Sequence, residues 1–202
     1  MTLGNDDRLF KQLQATYEKN GEFDAERQVE IRLKDLAKRV QKQFKKINKR
    51  IHISYTPFSI DMNKIVQQPV FAEKPEGIWY GLGDSWIKDV ILDVPEWLAT
   101  YAYVIEVRED KIKNISKFAM DLFMQEFGDE DFPQKYKWDK MSKTFGGAEV
   151  KDKVVIDKLL HTWATVSGCI WNPSCIISFK EIALDLTDEE KEFIRAHGGK
   201  RT

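Results

Sequence analysis

The chain has 202 residues, of which 42% are hydrophobic, which is enough to bury the core of one domain. Its 32 basic and 33 acidic residues nearly cancel, and this balance argues against a protein dominated by nucleic-acid binding, because such proteins are usually basic. The polar residues 1–8 do not resemble a signal peptide, and no run of residues approaches the roughly 20 apolar residues of a membrane span. We therefore expect a cytoplasmic domain with a helical extension.

Residues 5–50 are predicted to be helical. Apolar residues recur at helical spacing in two stretches, and we expect Asn20-Gly21 to end the first helix. A second helix, from about Asp24 to Asn48, carries an apolar stripe that is expected to pack on the rest of the chain or on a partner. The stripe consists of Val29, Leu33, Leu36, Val40, Phe44 and Ile47. The basic run Lys42 to Arg50 is typical of a solvated helix end, and contact with a nucleic acid or a phosphate is the alternative.

From residue 51 the pattern changes to short strands interrupted by helices, which predicts an α+β fold. The expected strands are 51–56, 77–81, 101–107, 148–150, 154–156, 169–171 and 175–182. The expected helices are 115–127, 134–144 and 188–196, the last opened by a capping box of Thr187 and Glu190. In the first of them, Phe118, Leu122 and Met124 are expected to face the core. The chain thus divides into a helical N-terminal region, 1–50, and an α+β domain, 51–202.

The two cysteines do not predict a disulfide framework or a zinc site. Cys169 and Cys175 are six residues apart in apolar, strand-like segments, a spacing that fits neither arrangement. We expect them to be buried, reduced and inert thiols. No other spacing of histidine, cysteine and carboxylate residues predicts a metal site.

One segment combines glycines with large aromatic residues. Three glycines and the side chains of Trp79, Tyr80 and Trp86 lie within Gly77–Trp86. Glycine lets the main chain approach a ligand closely, and aromatic rings form flat apolar walls with polar tips. The segment therefore predicts a pocket for a planar ligand, and a β-hairpin with aromatic core residues is the alternative.

Two further strand positions carry polar groups that could act in such a pocket. His52 and Ser54 share one face of the first predicted strand, which faces either the pocket or solvent. Glu149 follows Gly146-Gly147 at the start of a strand. Glutamate is unusual there, since strands disfavour it and burial of a charge is costly. It is either a functional carboxylate or an outward-facing edge residue.

The order of a histidine or arginine strand, a Gly-Ile-aromatic-aromatic strand and a glutamate strand resembles that of the mono-ADP-ribosyltransferases. Gly77–Tyr80 is similar to the Gly-Ile-Tyr-Phe strand of that family. Lys74–Trp79, together with the later segments 147–150 and 163–171, is also similar to a set of phage and bacterial proteins. The resemblance covers residues 50–180. It implies a split β-sheet that holds NAD in a central cleft.

The resemblance also implies roles for individual residues. Glu149 would be the catalytic residue, which stabilises the oxocarbenium-like sugar formed when NAD is cleaved. The residues that would bind NAD are His52, Ser54, Tyr55, Trp79, Tyr80 and Trp86. His52 matches a residue that binds the ribose, but Ile53 stands where many members have a glycine that holds the nicotinamide amide, so the pair Ser54-Tyr55 is an alternative match. Trp79 matches the stacking tyrosine, and no metal is required.

Three functions remain open from the sequence. The first is an NAD-dependent ADP-ribosyltransferase, an effector or toxin of phage or bacterial type, that modifies a macromolecular acceptor, either protein or nucleic acid. The second is a non-enzymatic partner-binding or inhibitor protein. The third is a nucleic-acid-binding module in which the run Lys42 to Arg50 contacts phosphates while Trp79 and Trp86 stack on bases. Binding of NAD distinguishes the first function from the other two.

Overall fold

The structure is a computed structural model that describes the backbone of residues 4–132 and 134–198, with side chains from residue 24 onward in those ranges. It combines a long N-terminal helix with one curled seven-stranded sheet and several short helices. The predicted α+β class is therefore confirmed. Residues 1–3 of the predicted N-terminal region and residues 199–202 of the predicted α+β domain lie outside the described residues.

The elements have the following bounds. The helices are α1 Gly4–Ile47, α2 Met120–Phe127, α3 Trp138–Ser142, α4 Lys153–Lys158 and α5 Asp188–His197. The strands are β1 Arg50–Ser54, β2 Ile78–Leu82, β3 Tyr101–Val107, β4 Ile112–Asn114, β5 Gly147–Val150, β6 Ser167–Ile170 and β7 Ile176–Ile182. Their order in the sheet is β4-β5-β6-β2-β1-β3-β7, and β4 with β5 is the parallel pair in an otherwise antiparallel ladder.

All five helices pack beneath one face of the sheet. Because residues opposite each other on neighbouring strands point to the same side, the register places Ile51, Trp79 and Ala148 on this helix-covered face. A first core joins α1 and α5 to β1 and β3, and includes Leu33, Val40, Phe44, Ile51 and Ile194. A second core joins α2, α3 and α4 to β5, and includes Phe123, Trp138, Val155 and Trp163.

Helix α1 differs from the prediction in one respect. It is continuous from Gly4 to Ile47, so the expected break at Asn20-Gly21 is wrong. A glycine inside a helix costs only about 1 kcal/mol relative to alanine, which a helix of this length can sustain. The predicted apolar stripe farther along α1 is confirmed, since Leu36 and Val40 are buried in the first core.

Two predictions in the middle of the chain are wrong. Residues 154–156 form part of α4 rather than a strand, because Asp152 caps the helix by accepting a hydrogen bond from the Val154 N–H. Phe118 and Leu122 are 89% and 66% exposed rather than buried. Strand β4 and a 3₁₀ turn occupy 112–119, so α2 begins only at Met120 and turns different residues to the core.

The C-terminal predictions hold where the signals are local. The capping box of Thr187 and Glu190 opens α5, which ends before Gly198. Cys169 lies in β6 and Cys175 immediately before β7, and both are buried free cysteines, as expected. Burial raises the pKa of Cys169 well above its usual value and that of Cys175 to about 11, so neither thiol is activated.

Candidate ligand-binding site

The ladder between β1 and β2 is short. Arg50 pairs with Leu82 and Ile51 pairs with Gly81, and the register includes no further pair between these strands, whereas β1 keeps all five of its residues in register with β3. The two strands therefore part after Ile51, and a gap opens inside the sheet.

The imidazole of His52 bridges this gap. Its Nδ1 lies 2.7 Å from the main-chain oxygen of Trp79 on the facing strand. A carbonyl oxygen can only accept a hydrogen bond, so Nδ1 carries the proton and the neutral ring has its lone pair on Nε2. Burial lowers the pKa of His52, and the hydrogen bond to Trp79 only partly offsets this effect.

A cavity of about 190 Å³ lies at the gap. Its walls are mainly apolar and aromatic side chains contributed by β1, β2 and the turns that follow them. The residues that line it are Ile51, His52, Ile53, Tyr55, Trp79, Tyr80, Gly81, Trp86, Trp97, Ala99 and Ser167. The first core supplies Ile53, Trp86 and Trp97, and the second core supplies Trp79. The cavity thus lies where the two cores meet.

Gly81 is needed for one wall of this cavity. A Cβ at this position would lie 3.0 Å from the Cβ of Trp86 and 3.1 Å from the Oγ of Ser85. Such distances are tighter than nine in ten real contacts of a Cβ atom, so a side chain at residue 81 would require Trp86 and Ser85 to shift by a few tenths of an ångström. The glycine pattern in the sequence therefore has a local reason in the structure.

Five of the six residues expected to bind NAD meet in the cavity, and these are His52, Tyr55, Trp79, Tyr80 and Trp86. Ser54 is not among the lining residues. Sequence reasoning missed Trp97 and Ala99, which follow a 3₁₀ turn at Pro95–Trp97, and Ser167 at the start of β6. Nothing in the spacing of these residues marks them, because they reach the cavity only through the pairing of distant elements.

Glu149 lies on the face of the sheet opposite Trp79. Trp79 is in register with Cys169, and Cys169 with Ala148, so the neighbouring Glu149 points to the face opposite Trp79. By the same register, His52 points to the face of Glu149 and not to that of Trp79. The expectation that the strands bring His52, Trp79 and Glu149 to one cleft is therefore wrong, because His52 and Trp79 reach the gap from opposite faces and Glu149 does not line the cavity. The physical cause is the period-two alternation of side chains along β1 and β5.

The carboxylate of Glu149 is only 1% exposed and is enclosed by donors. Oε2 accepts hydrogen bonds from Arg50 Nε at 2.5 Å and from the Tyr80 hydroxyl at 2.9 Å. Oε1 lies 3.1 Å from a terminal nitrogen of Arg50 and 3.0 Å from Lys151 Nζ. Arg50 also binds both oxygens of Glu109, at 2.7 and 2.8 Å. Every oxygen of Glu149 thus has two partners within the protein.

This network also sets the protonation of its members. Burial raises the pKa of Tyr80 well above its usual value, and the charge of Glu149 adds to this effect. Burial alone would lower the pKa of Arg50, but hydrogen bonds to Glu109 and Glu149 raise it above its ordinary value. Arg50 therefore stays charged and Tyr80 stays neutral at physiological pH. The arrangement holds a buried ion pair and presents no base to the cavity.

Within the described ranges, no three histidine, cysteine or carboxylate residues lie close enough together to hold a metal ion. No helix in that part of the chain is both long and apolar enough to cross a membrane. Comparisons of the chain with protein-family models, curated proteins and solved structures found no match. The chemistry and shape of the cavity are therefore the basis for assigning a function.

Proposed function

We propose that this protein binds a small planar ring in the cavity between β1 and β2, and that NAD binds there through its nicotinamide ring. The observation that carries the proposal is the convergence of four large aromatic side chains, Tyr55, Trp79, Trp86 and Trp97, on one gap in the sheet. Offset or edge contacts between aromatic rings contribute about 0.5–1.5 kcal/mol each beyond the burial of apolar area. Such walls favour a flat ligand over a flexible aliphatic one.

The size of the cavity limits what can be enclosed. Its volume of about 190 Å³ is smaller than the roughly 300–1,000 Å³ of sites that enclose a drug-sized ligand. One ring or a fused pair of rings fits this space, and the rest of a dinucleotide would lie outside it. The nicotinamide ring, which the family resemblance implies, meets this limit.

The proposal is tested by titrating the protein with NAD, nicotinamide and adenosine monophosphate. Tryptophans form three of the walls, so we expect saturable quenching of their fluorescence by NAD and by nicotinamide, with a matching heat in calorimetry. Absence of binding by all three compounds at millimolar concentration would contradict the proposal.

A matched pair of variants tests the location of the site. Tyr55→Ala removes a cavity wall that is 41% exposed, so the fold should tolerate the change. Loss of one ring contact of about 1 kcal/mol should weaken binding of NAD about fivefold. Phe71→Ala is the control, since Phe71 is 46% exposed and does not line the cavity. Equal affinities of the two variants would place the ligand elsewhere.

Transfer of ADP-ribose to a macromolecule is a second candidate. The observation in its favour is Tyr80, which lines the cavity and also binds Glu149 through its hydroxyl. To stabilise an oxocarbenium-like sugar, the carboxylate would have to leave Arg50 and Lys151 and approach the ligand. In the arrangement observed, Glu149 is buried, points to the face opposite Trp79 and does not line the cavity. Binding without catalysis, as in a partner-binding protein, is therefore better supported than transfer.

Incubation with labelled NAD and cell lysate separates the two candidates. A transferase would leave label on protein or on nucleic acid, which are separated after the reaction, and Glu149→Gln would abolish this label. A binding protein would leave both fractions unlabelled and the NAD intact, while fluorescence still reports a complex.

A further inference from the structure

We infer that His52 is a positioning residue that holds the cavity open and makes ligand binding sensitive to acid. This inference rests on the proposed ligand site between β1 and β2. It assigns to His52 a role toward the main chain of the facing strand, different from the contact with the ribose that the resemblance implies.

The first step concerns the hydrogen bond that His52 replaces. The N–H of Leu82 points away from β1, toward the Oγ of Ser85 at 3.0 Å. In an antiparallel ladder, hydrogen-bonded and non-bonded pairs alternate, so Ile53 and Trp79 would form a hydrogen-bonded pair if the ladder continued. In that pair the Ile53 N–H would donate to the Trp79 carbonyl. The Nδ1–H of His52 takes this acceptor instead and so keeps the ladder from closing over the cavity.

The second step concerns the surroundings of the ring. His52 is packed among three aromatic rings, with centroids of Phe58 at 4.6 Å, Tyr103 at 6.2 Å and Phe179 at 6.3 Å. Its Nε2 is buried and has no hydrogen-bond partner among the described residues. A neutral ring tolerates this environment because Nε2 then has only a lone pair. A protonated ring would place a second N–H and a positive charge there, with no acceptor for either.

Several ionisable groups near His52 could in principle interact with a positively charged ring. Each of them already has another partner or is exposed to solvent. The Tyr80 hydroxyl binds Glu149, and Glu149 in turn binds Arg50. The Tyr103 hydroxyl accepts the N–H of Phe58. Glu181 of β7 is in register with Tyr103 but is exposed. On the segment that follows β1, the exposed Asp61 accepts the N–H of Asn63.

The third step is the consequence of protonation. An imidazolium would leave the aromatic cage for water, and the Trp79 carbonyl would lose its donor. The Ile53 N–H could then take this acceptor and draw the strands together, closing a cavity lined by both residues. Because burial lowers the pKa of His52, this change is expected below the pH at which a free histidine titrates, about 6.5. Ligand affinity should be constant above that pH and fall below it.

Nitrogen NMR of the imidazole tests the arrangement without any ligand. We expect the Nδ1–H tautomer for His52 at about pH 7.5 and a titration midpoint below that of free histidine. The fluorescence of the cavity tryptophans should change with the same midpoint. Spectra of His52→Gln identify the signal by its loss. An Nε2–H tautomer, or an ordinary midpoint, would overturn the inference.

The dependence of NAD binding on pH tests the consequence. In the wild type, affinity at about pH 5 should be at least about tenfold weaker than at about pH 7.5. Glutamine keeps an amide donor but does not titrate, so in His52→Gln the ratio of the two affinities should approach one. His161→Gln, which changes an exposed histidine, should keep the wild-type ratio. Equal ratios in the wild type and His52→Gln would overturn the inference.

These measurements separate failure of the inference from failure of the proposed function. If the wild type does not bind NAD at any pH, the proposed ligand is wrong, whereas the tautomer and the midpoint of His52 still decide the role of the ring. If His52→Gln does not fold, the NMR of the wild type decides alone. Circular dichroism at about pH 5 confirms that the wild type remains folded during the titration.

Discussion

Glu149 and Arg50 form a buried ion pair within the sheet. Both belong to the sheet, and their side chains are 1% and 13% exposed. Removal of two charges from water costs several kcal/mol per ion, which their mutual attraction repays only when the remaining hydrogen bonds are also made. Lys151, Tyr80 and Glu109 provide those bonds. The network therefore acts as a structural unit on the face of the sheet opposite Trp79, and Tyr80 connects it to the cavity.

We expect Glu149→Ala to lower the free energy of unfolding by about 3–5 kcal/mol, because it leaves the guanidinium of Arg50 buried without its main partner. Glu149→Gln should cost less, since the amide oxygen can still accept from Tyr80. Urea unfolding at neutral pH measures both. Glu106→Ala breaks the exposed pair with Lys49 and should leave the stability close to that of the wild type, because solvent screens such pairs. Wild-type stability of Glu149→Ala would show that the ion pair contributes nothing.

The strand position and the orientation of individual side chains could be predicted from the sequence, but the residues that they contact could not. The strand position of Glu149 and the opposite orientations of Trp79 and Tyr80 follow from composition and period-two alternation. Which of the two aromatic residues shares a face with Glu149 depends on β6, which lies between their strands. The partner of Glu149, Arg50, is 99 residues away in sequence. No local pattern contains that information.

At the scale of elements, the predicted bounds agree with the structure where residues within the element itself determine its conformation. The bounds of β3, Tyr101–Val107, match the prediction because aromatic and β-branched residues dominate the segment. The β-branched pair at 154–155 misled the prediction at α4, where the Asp152 cap determines the conformation instead. The gap between β1 and β2 could not be predicted, since both strands have ordinary strand sequences and only their pairing fails.

Helix α1 is predicted to be essential for the first core. Phe44 is 1% exposed and lies in the core shared with Ile51 and Ile194. Phe44→Ala should lower the free energy of unfolding by about 3–5 kcal/mol, because it leaves a cavity in a packed region. Ile31 of the same helix is 44% exposed, so Ile31→Ala is the control and should cost less than about 1 kcal/mol. Urea unfolding compares the two. Similar losses would mean that α1 does not depend on this contact.

At the scale of the whole molecule, the two cores meet at the cavity. Both lie beneath the same face of one sheet, and β1 belongs to the first while β5 belongs to the second. Strand β2 connects them, but its ladder with β1 has only two pairs. The cavity walls come from both cores, through Trp86 and Trp97 on one side and Trp79 on the other. A ligand that fills the cavity would therefore contact both strands where β1 and β2 do not pair with each other.

This geometry predicts that the ligand stabilises the fold as a whole. A ligand that binds only the folded state adds about 2.7 kcal/mol at a hundred times its dissociation constant. For a chain of this length, 1 kcal/mol corresponds to about 2–4 °C, so saturating NAD should raise the midpoint of thermal unfolding by about 5–10 °C. In Tyr55→Ala the same rise should require about fivefold more NAD. Differential scanning fluorimetry over a range of NAD concentrations measures both, with Phe71→Ala as the control. If calorimetry reports binding but the midpoint does not move, the ligand does not bind selectively to the folded state, and a site between the two cores is contradicted.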